Sequence, residues 1–263
     1  MNKPRQQNPF VGLRPFDKDD SLYYFGRDEQ TKILLHHLHC CRFLAVVGSS
    51  GCGKSSLVRA GLIPDLQAGF LVQDRDRWLV AAMKPGDSPL YNFAATLLGI
   101  RTNNPDREQI MGFCEDLYEG GAGAIVSMLR PIIDGVDGNL LLLVDQFEEL
   151  FRFGLDVKRP DRREEATDFV AMLLALLQQR LLPVYVCITM RSDFIGECDA
   201  FFGLPETMNQ GQYLAPRLTR NQRREAIVGP INLKVPEFRP AWLIACLTKI
   251  WKTVMTCPCC NMP

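Results

Sequence analysis

The sequence lacks the marks of a membrane protein, a secreted protein and a general polyanion binder. Its longest apolar run, residues 169–177, has nine members, whereas a membrane-spanning helix needs roughly 20. The first ten residues contain no apolar segment of the kind that a secretory signal requires. Thirty basic residues balance thirty acidic ones, so no net charge attracts the chain to nucleic acid or to anionic lipid. We therefore predict a cytoplasmic protein with no membrane partner and no general affinity for nucleic acid.

The ten cysteines do not form the compact framework of a small disulfide-rich domain. The histidines and cysteines of residues 36–41 crowd a short helical stretch, so they cannot all converge on one ion. Cys257, Cys259 and Cys260 lack the second ligand cluster that a tetrahedral zinc site needs. We expect reduced thiols and no metal site among them.

Short apolar runs alternate with helical patterns along the chain. Strands are predicted at residues 42–48, 78–83, 139–145 and 183–191. Helices are predicted at residues 54–63, 88–99, 107–118, 124–133, 164–182 and 219–229, with Pro64 and Gly229 as expected stops. The strands at 139–145 and 183–191 are apolar on both faces, which is typical of a parallel sheet between two helix layers. The pattern predicts an α/β fold, a three-layer sandwich with a mostly parallel sheet.

The segment from Gly48 to Ser55 fits the phosphate-loop pattern G-x-x-x-x-G-K-S/T between a predicted strand and a predicted helix. Glycines let such a loop turn its backbone N–H groups toward phosphate oxygens. Lys54 is predicted to reach the β- and γ-phosphates, and Ser55 to bind Mg²⁺. The residues assigned to phosphate binding are Gly48, Ser49, Ser50, Gly51, Cys52, Gly53, Lys54, Ser55 and Ser56. Cys52 is either an oxidation-sensitive thiol or a tolerated residue at a variable position.

Three acidic residues follow the apolar strand at 139–145. Asp145 is predicted to hold Mg²⁺ through water, as the second metal residue of the site. Glu148 and Glu149 are candidates for the base that orients the attacking water. Because neighbouring helical residues diverge by about 100°, only one of them can face the nucleotide, and we favour Glu148. The alternative for both is a solvated helix N-terminus stabilised by the helix dipole.

Arg191 ends the last predicted strand, where a γ-phosphate sensor would project. The alternative is that Arg191 pairs with Asp193 or Glu197. An N/T-K-x-D element for guanine and the L-S-G-G-Q signature of transporter ATPases are both absent from the sequence. Helicases and AAA+ motors usually place Glu after the strand Asp, and here Gln146 stands there. ATP with Mg²⁺ is the predicted ligand.

Five segments in this order resemble the novel STAND NTPase type 1 family, where STAND denotes signal-transduction ATPases with numerous domains. They are N-P-F-V-G-L-R-P-F-D-K-D-D (8–20), Y-F-G-R-D-E-Q (24–30), the phosphate loop, L-V-D-Q-F-E-E-L-F (143–151) and I-T-M-R-S-D-F (188–194). The resemblance covers about residues 8–235. It implies an ATP-dependent switch in signalling or defence, a homo-oligomer on activation, and sensor or effector modules on a longer chain.

The resemblance also implies local roles near the base. Phe25, Gly26 and Arg27 match an element that helps to enclose adenine and ribose, and Pro230 matches a lid proline that touches the base. The alternatives are a core aromatic for Phe25 and a helix stop for Pro230. Glu148, three residues after Asp145, also resembles the water-positioning acid of the related NACHT pattern.

The predicted organisation has three parts. Residues 1–40 form a nucleotide-enclosing segment, 41–215 the phosphate-loop core, and 216–263 an incomplete helical lid with an atypical tail. Because the family pattern is expected to stop after Val235, we expect a truncated or frame-shifted product whose ATP hydrolysis is slow without a full lid. Two alternatives are a nucleotide-binding interaction module without turnover and a nucleic-acid-associated loader ATPase of the AAA+ type.

Overall fold

Five parallel strands form one sheet in the computed structural model, which describes residues 9–69, 77–102, 104–154 and 160–234. The strands are β1 (Phe43–Gly48), β2 (Arg77–Met83), β3 (Gly138–Val144), β4 (Val184–Arg191) and β5 (Gln212–Leu214). They lie in the order β2-β3-β4-β1-β5, and every neighbouring pair is parallel. The four predicted strands and the predicted parallel sheet are confirmed. β5 was not predicted, because three residues are too few for periodicity to detect.

Helices connect the strands. The α-helices are α1 (Asp28–Cys41), α2 (Lys54–Ser56), α3 (Ile63–Gln67), α4 (Pro89–Arg101), α5 (Arg107–Val136), α6 (Glu149–Gly154), α7 (Pro160–Gln178), α8 (Leu204–Gly211) and α9 (Arg220–Lys234). A π-helical stretch, Leu57–Leu62, joins α2 to α3, and short 3₁₀ helices cover Lys18–Tyr23, Ser192–Phe194 and Gly196–Ala200. The helices predicted at 107–118 and 124–133 correspond to the two parts of α5, which non-helical backbone at Gly121 (φ 52°) separates. In the described part of the chain, no helix is both long and apolar enough to cross a membrane.

Both faces of the sheet are covered by helices. On β1, alternate residues such as Ala45 and Val47 belong to the core that α4, α5 and α7 form on one face. Leu44 and Val46 between them are fully buried outside that core, so they lie on the other face. There α1 contacts both β1 and the π-helical stretch. This is the predicted three-layer arrangement, and it puts the carboxyl ends of β1, β3 and β4 at one edge.

The prediction that Pro64 ends the helix after the phosphate loop is wrong. The helix passes through the π-helical stretch, where the Ile63 N–H bonds to the Val58 carbonyl, and continues as α3. Pro64 stands in the first turn of α3, where a proline needs no N–H partner. The wider π-helical turn therefore accommodates a residue that would interrupt a regular α-helix.

The prediction that a helix ends at Gly229 is also wrong, because α9 runs to Lys234 with Pro230 inside it. A Cβ on Gly229 would lie 2.5 Å from Cγ of the Phe25 ring. Gly229 is therefore required for the close approach of that ring and does not stop the helix.

The chain divides into two compact units. Among the described residues, the larger one contains those within Pro15–Ser21 and Arg27–Arg217, and the smaller one contains residues 9–14, 22–26 and 218–234. The three functional segments with bounds 1–40, 41–215 and 216–263 stay a prediction. The tail cysteines and everything after Lys234 lie outside the described residues.

Candidate nucleotide-binding site

The phosphate loop joins β1 to α2 in a tight turn. Gly51 (φ 73°) and Gly53 (φ 92°) adopt left-handed conformations that side chains beyond glycine rarely tolerate. A Cβ on Gly48 would lie 2.8 Å from the Cys52 Sγ and 3.2 Å from the Ala215 carbonyl oxygen. The loop geometry thus depends on the two fixed glycines of the motif, Gly48 and Gly53, and on Gly51 between them.

The Lys54 ammonium lies against the loop's own backbone. Its Nζ donates to the carbonyl oxygens of Gly48 (2.9 Å) and Ser49 (3.0 Å). A cation at this place, beside the first turn of the helical segment that starts at α2, makes the loop attractive to phosphate. The same protons are available to phosphate oxygens, which are charged and therefore stronger acceptors than carbonyls.

Asp145 lies at the carboxyl edge of the sheet, immediately after β3. The register pairs Val144 with Ile188 of β4, so Asp145 and Thr189 lie side by side. The Asp145 Oδ1 accepts hydrogen bonds from the Thr189 hydroxyl (2.6 Å) and the Ser55 hydroxyl (2.7 Å). Only 2% of Asp145 is exposed. A hydroxyl and a carboxylate in contact are hard oxygen ligands of the kind that Mg²⁺ takes, so the residues present fit this ion.

Thr189 orients Asp145 and was not predicted. Its hydroxyl donates to Asp145 and accepts from the Gln146 N–H (3.0 Å).

Thr189→Val should therefore lower the free energy of unfolding by about 1–3 kcal/mol, since two buried polar groups lose a partner. Thr189→Ser keeps the hydroxyl and should retain most of that stability. Denaturant unfolding followed by circular dichroism measures both, and equal losses in the two variants would contradict the role of the hydroxyl.

The structure separates the two neighbouring glutamates. The Glu148 Oε2 accepts from the Arg191 N–H at the end of β4 (3.3 Å). The Glu149 Oε2 accepts from the Gly86 N–H in the loop after β2 (2.9 Å). Glu148 therefore lies at the strand end that borders the phosphate loop, and Glu149 is directed elsewhere.

Arg191 ends β4, as predicted, and pairs with Gly48 in the sheet register. Its Nη2 forms an ion pair with Asp193, the first of the two partners considered above. This hydrogen bond and charge hold the pKa of the Asp193 carboxyl below its usual value. The Arg191 Nε is buried and has no hydrogen-bond partner within the described part of the chain. A cation whose buried Nε has no partner among the described residues thus lies beside the phosphate loop.

Arg27 is a buried residue that contacts the backbone of the phosphate loop. It is 4% exposed, and its guanidinium donates to the carbonyl oxygens of Cys52 (2.9 Å) and Pro216 (2.8 Å). These bonds tie the loop to the segment that follows β5. A role of Arg27 at the ribose stays a prediction.

The other residues predicted near the base belong to the smaller unit. Phe25 and Gly229 line a cavity of about 490 Å³ there, within the range of small-molecule sites. Gly26 (φ 82°) leaves no room for a side chain, since a Cβ would lie 2.4 Å from the Gln222 carbonyl oxygen. Pro230 is buried. Their contact with adenine stays a prediction.

Sequence reasoning also missed Arg59, in the π-helical stretch. Its Nη2 and Nε lie 3.0 and 3.2 Å from the Asp145 Oδ2, and its Nη1 lies 3.8 Å from the Asp17 Oδ2. Close by, the Ser56 hydroxyl accepts from the Phe16 N–H (3.1 Å), so Ser56 contacts the N-terminal segment. The available signal was a charged residue in an otherwise apolar helical turn.

The fold resembles those of solved structures at low sequence identity. A chain of the E. coli MS115-1 HORMA:CdnC:Trip13 complex is 15% identical (TM-score 0.51; 88% of this chain and 76% of that one). The Walker-type ATPase PABY2304 of Pyrococcus abyssi is 13% identical (TM-score 0.52; 87% and 63%). The ORC2 protein of Aeropyrum pernix is 14% identical (TM-score 0.49; 86% and 55%). The chain thus spans between about half and three quarters of the length of these structures. The likeness to the first two concerns the fold alone.

A family match carries more weight. None of the curated proteins matches the chain, but the model of the Novel STAND NTPase 1 family matches residues 9–253. The match continues to residue 253, so the expectation that the family pattern stops after Val235 is wrong. The matched range includes the phosphate loop, Asp145 and Arg191. The chain therefore belongs to the Novel STAND NTPase 1 family.

Proposed function

We propose that the chain binds Mg-ATP at the carboxyl edge of its sheet, hydrolyses it to ADP and phosphate, and uses the nucleotide state as a signalling switch. One observation carries this proposal. Ser55 from the phosphate loop, Asp145 after β3 and Thr189 on β4 form one hydrogen-bonded cluster. A phosphate loop together with a neighbouring strand carboxylate is the arrangement that phosphate-loop ATPases need.

The phosphate loop would bind the β- and γ-phosphates. Its backbone N–H groups and the Lys54 ammonium supply the donors, and Arg27 stabilises the loop conformation through the Cys52 carbonyl. Ser55 and Asp145 are the residues that would hold Mg²⁺, which when bound supplies positive charge to the phosphate oxygens. Thr189 keeps Asp145 Oδ1 directed at Ser55.

Glu148 and Arg191 are our candidates for the chemistry at the γ-phosphate. Glu148, held at the end of β4 by the Arg191 N–H, would accept the hydrogen of an attacking water and orient it. Arg191 would donate its Nε–H, which has no partner among the residues that the structure describes, to an oxygen of the γ-phosphate. Arg191 would lose this charged hydrogen bond when the γ-phosphate leaves after hydrolysis. Glu149 is engaged with Gly86, which supports Glu148 as the base.

The signalling role rests on the family. ATP and ADP differ by the γ-phosphate, which Glu148 and Arg191 would contact in this proposal. These two side chains would therefore change their contacts with the nucleotide state. Adenine would contact Phe25 and Pro230, and the ATP-bound form would assemble with further copies of the chain or with sensor and effector modules.

Cys52 provides a direct test of nucleotide binding. This thiol lies half-buried in the phosphate loop, while Cys40 on α1 is exposed. ATP with Mg²⁺ at ten times its dissociation constant should slow the alkylation of Cys52 by iodoacetamide about tenfold, since the free fraction reacts. The rate at Cys40 should not change, and GTP should protect Cys52 less than ATP does. Peptide mass spectrometry measures each thiol separately.

The buried thiols serve as internal controls. Burial raises the pKa of the Cys114 and Cys187 thiols above the usual value, and it raises the pKa of the Cys198 thiol to about 12. These groups should therefore stay unmodified in folded protein. Their labelling would reveal unfolding. Equal Cys52 alkylation with and without saturating ATP in folded protein would contradict the proposed site.

A further inference from the structure

We infer that Arg59 acts as the counter-cation of Asp145 in the nucleotide-free chain and competes with the divalent ion for that carboxylate. This inference rests on the proposed function, because it takes Asp145 as the metal residue. Arg59 lies outside the phosphate-loop motif, and the inference gives it the role of setting the affinity of Asp145 for the divalent ion.

The two oxygens of Asp145 have different partners. Oδ1 accepts from the hydroxyls of Ser55 and Thr189, whereas Oδ2 receives the Arg59 guanidinium at 3.0 and 3.2 Å. The Asp145 side chain is 3% exposed. The cost of burying a carboxylate charge is offset by a positive charge in contact with it, and Arg59 supplies that charge.

The helix geometry directs Arg59 to this place. Its neighbours Leu57, Val58, Ala60 and Leu62 are all buried in the π-helical stretch. The Arg59 side chain is 22% exposed, so its stem is packed while its charged end reaches the edge of the sheet. Arg59 is therefore held near Asp145 by the fold.

A divalent ion and a guanidinium at one carboxylate repel each other. An ion that binds alone must overcome this repulsion. An ion that binds together with the triphosphate does not, because the negative charge of the phosphates offsets the repulsion. The pair Arg59–Asp145 thus disfavours metal binding without nucleotide. Metal and nucleotide are then favoured to enter together.

Asp17 offers Arg59 a second partner. Its Oδ2 lies 3.8 Å from the Arg59 Nη1, and its side chain is 56% exposed. When a divalent ion neutralises Asp145, the guanidinium can strengthen its pair with Asp17 without leaving its place on the helix. Asp17 therefore favours the release of Asp145, and its removal should have the opposite effect to the removal of Arg59.

The test measures the binding of Mn²⁺, used in place of Mg²⁺, to the nucleotide-free full chain. The electron paramagnetic resonance signal gives the concentration of free Mn²⁺. Binding lost in Asp145→Asn defines the site. Arg59→Gln keeps a hydrogen-bond donor without the charge, and should tighten Mn²⁺ binding at this site about tenfold. Asp17→Asn should weaken it about twofold, because an exposed carboxylate is largely screened.

Opposite signs in these two variants would support the inference, since a purely structural role of Arg59 would not produce them. Unchanged or weaker Mn²⁺ binding in Arg59→Gln would overturn it. If Arg59→Gln does not fold, Asp17→Asn decides, and unchanged or tighter Mn²⁺ binding in that variant would overturn it.

ATP binding is measured separately by protection of Cys52. A chain that binds ATP but shows no Asp145-dependent Mn²⁺ binding even in Arg59→Gln would overturn this inference and leave nucleotide binding standing. A chain with the predicted Mn²⁺ responses but no ATP binding would overturn the proposed function alone.

Discussion

Replacing Lys54 by alanine should weaken ATP binding about a hundredfold or more, since each hydrogen bond between charged groups contributes about 1.5–3 kcal/mol. The Lys54 Nζ now bonds to the carbonyl oxygens of Gly48 and Ser49 at the phosphate loop. Phosphate oxygens would replace those acceptors, so the variant loses bonds made to ligand. Isothermal titration with Mg-ATP measures the change.

The stability of this variant should change little. Gly48 and Ser49 lose a donor, but solvent can replace it at a partly buried loop. Lys32→Ala is the matched control, because Lys32 is an exposed lysine on α1 whose ion pair is with Glu29. Its ATP affinity should stay within about twofold of the wild type. Intact affinity in Lys54→Ala would refute the whole site assignment.

The strands that build the site could be predicted because burial on both faces makes them continuously apolar. β3 and β4 have this composition, and the phosphate loop follows β1 with its full motif. Asp145 and Arg191 could be located for the same reason, since each follows or ends an apolar strand. The local sequence pattern was sufficient to predict a residue's place in the fold wherever that place depends on one segment alone.

The contacts that complete the site depend on strand order and could not be predicted. β4 lies between β1 and β3, and this insertion brings Thr189 beside Asp145. Nothing in a single segment indicates that order. Arg59 was missed for a related reason, because its partner Asp145 lies on a distant part of the chain.

The two misplaced helix ends have a common cause. Proline and glycine were interpreted by their local preferences, as residues that stop a helix. Pro64 instead follows a π-helical stretch, and Gly229 makes room for the Phe25 ring inside α9. Tertiary packing decides such positions, and the sequence around them does not reveal it.

Replacing Glu148 by glutamine should lower ATP turnover about 10²–10⁴-fold, the contribution of a positioned general base. Affinity for Mg-ATP should remain, because Glu148 contacts the Arg191 N–H and lies outside the phosphate loop. The amide oxygen of glutamine can still accept that hydrogen bond, so the fold should be retained. Phosphate release under saturating ATP, together with titration of ATP binding, separates turnover from affinity.

Glu149→Gln is the matched control for this prediction. It makes the same chemical change one residue away, at a carboxylate that accepts from the Gly86 N–H, and glutamine can preserve that bond. Its turnover should stay within about threefold of the wild type, because no base is removed. Unchanged turnover in both variants would refute the assigned base, and a loss confined to Glu149→Gln would move the role to that residue. Wild-type protein that binds Mg-ATP without releasing phosphate would instead favour a nucleotide-binding interaction module.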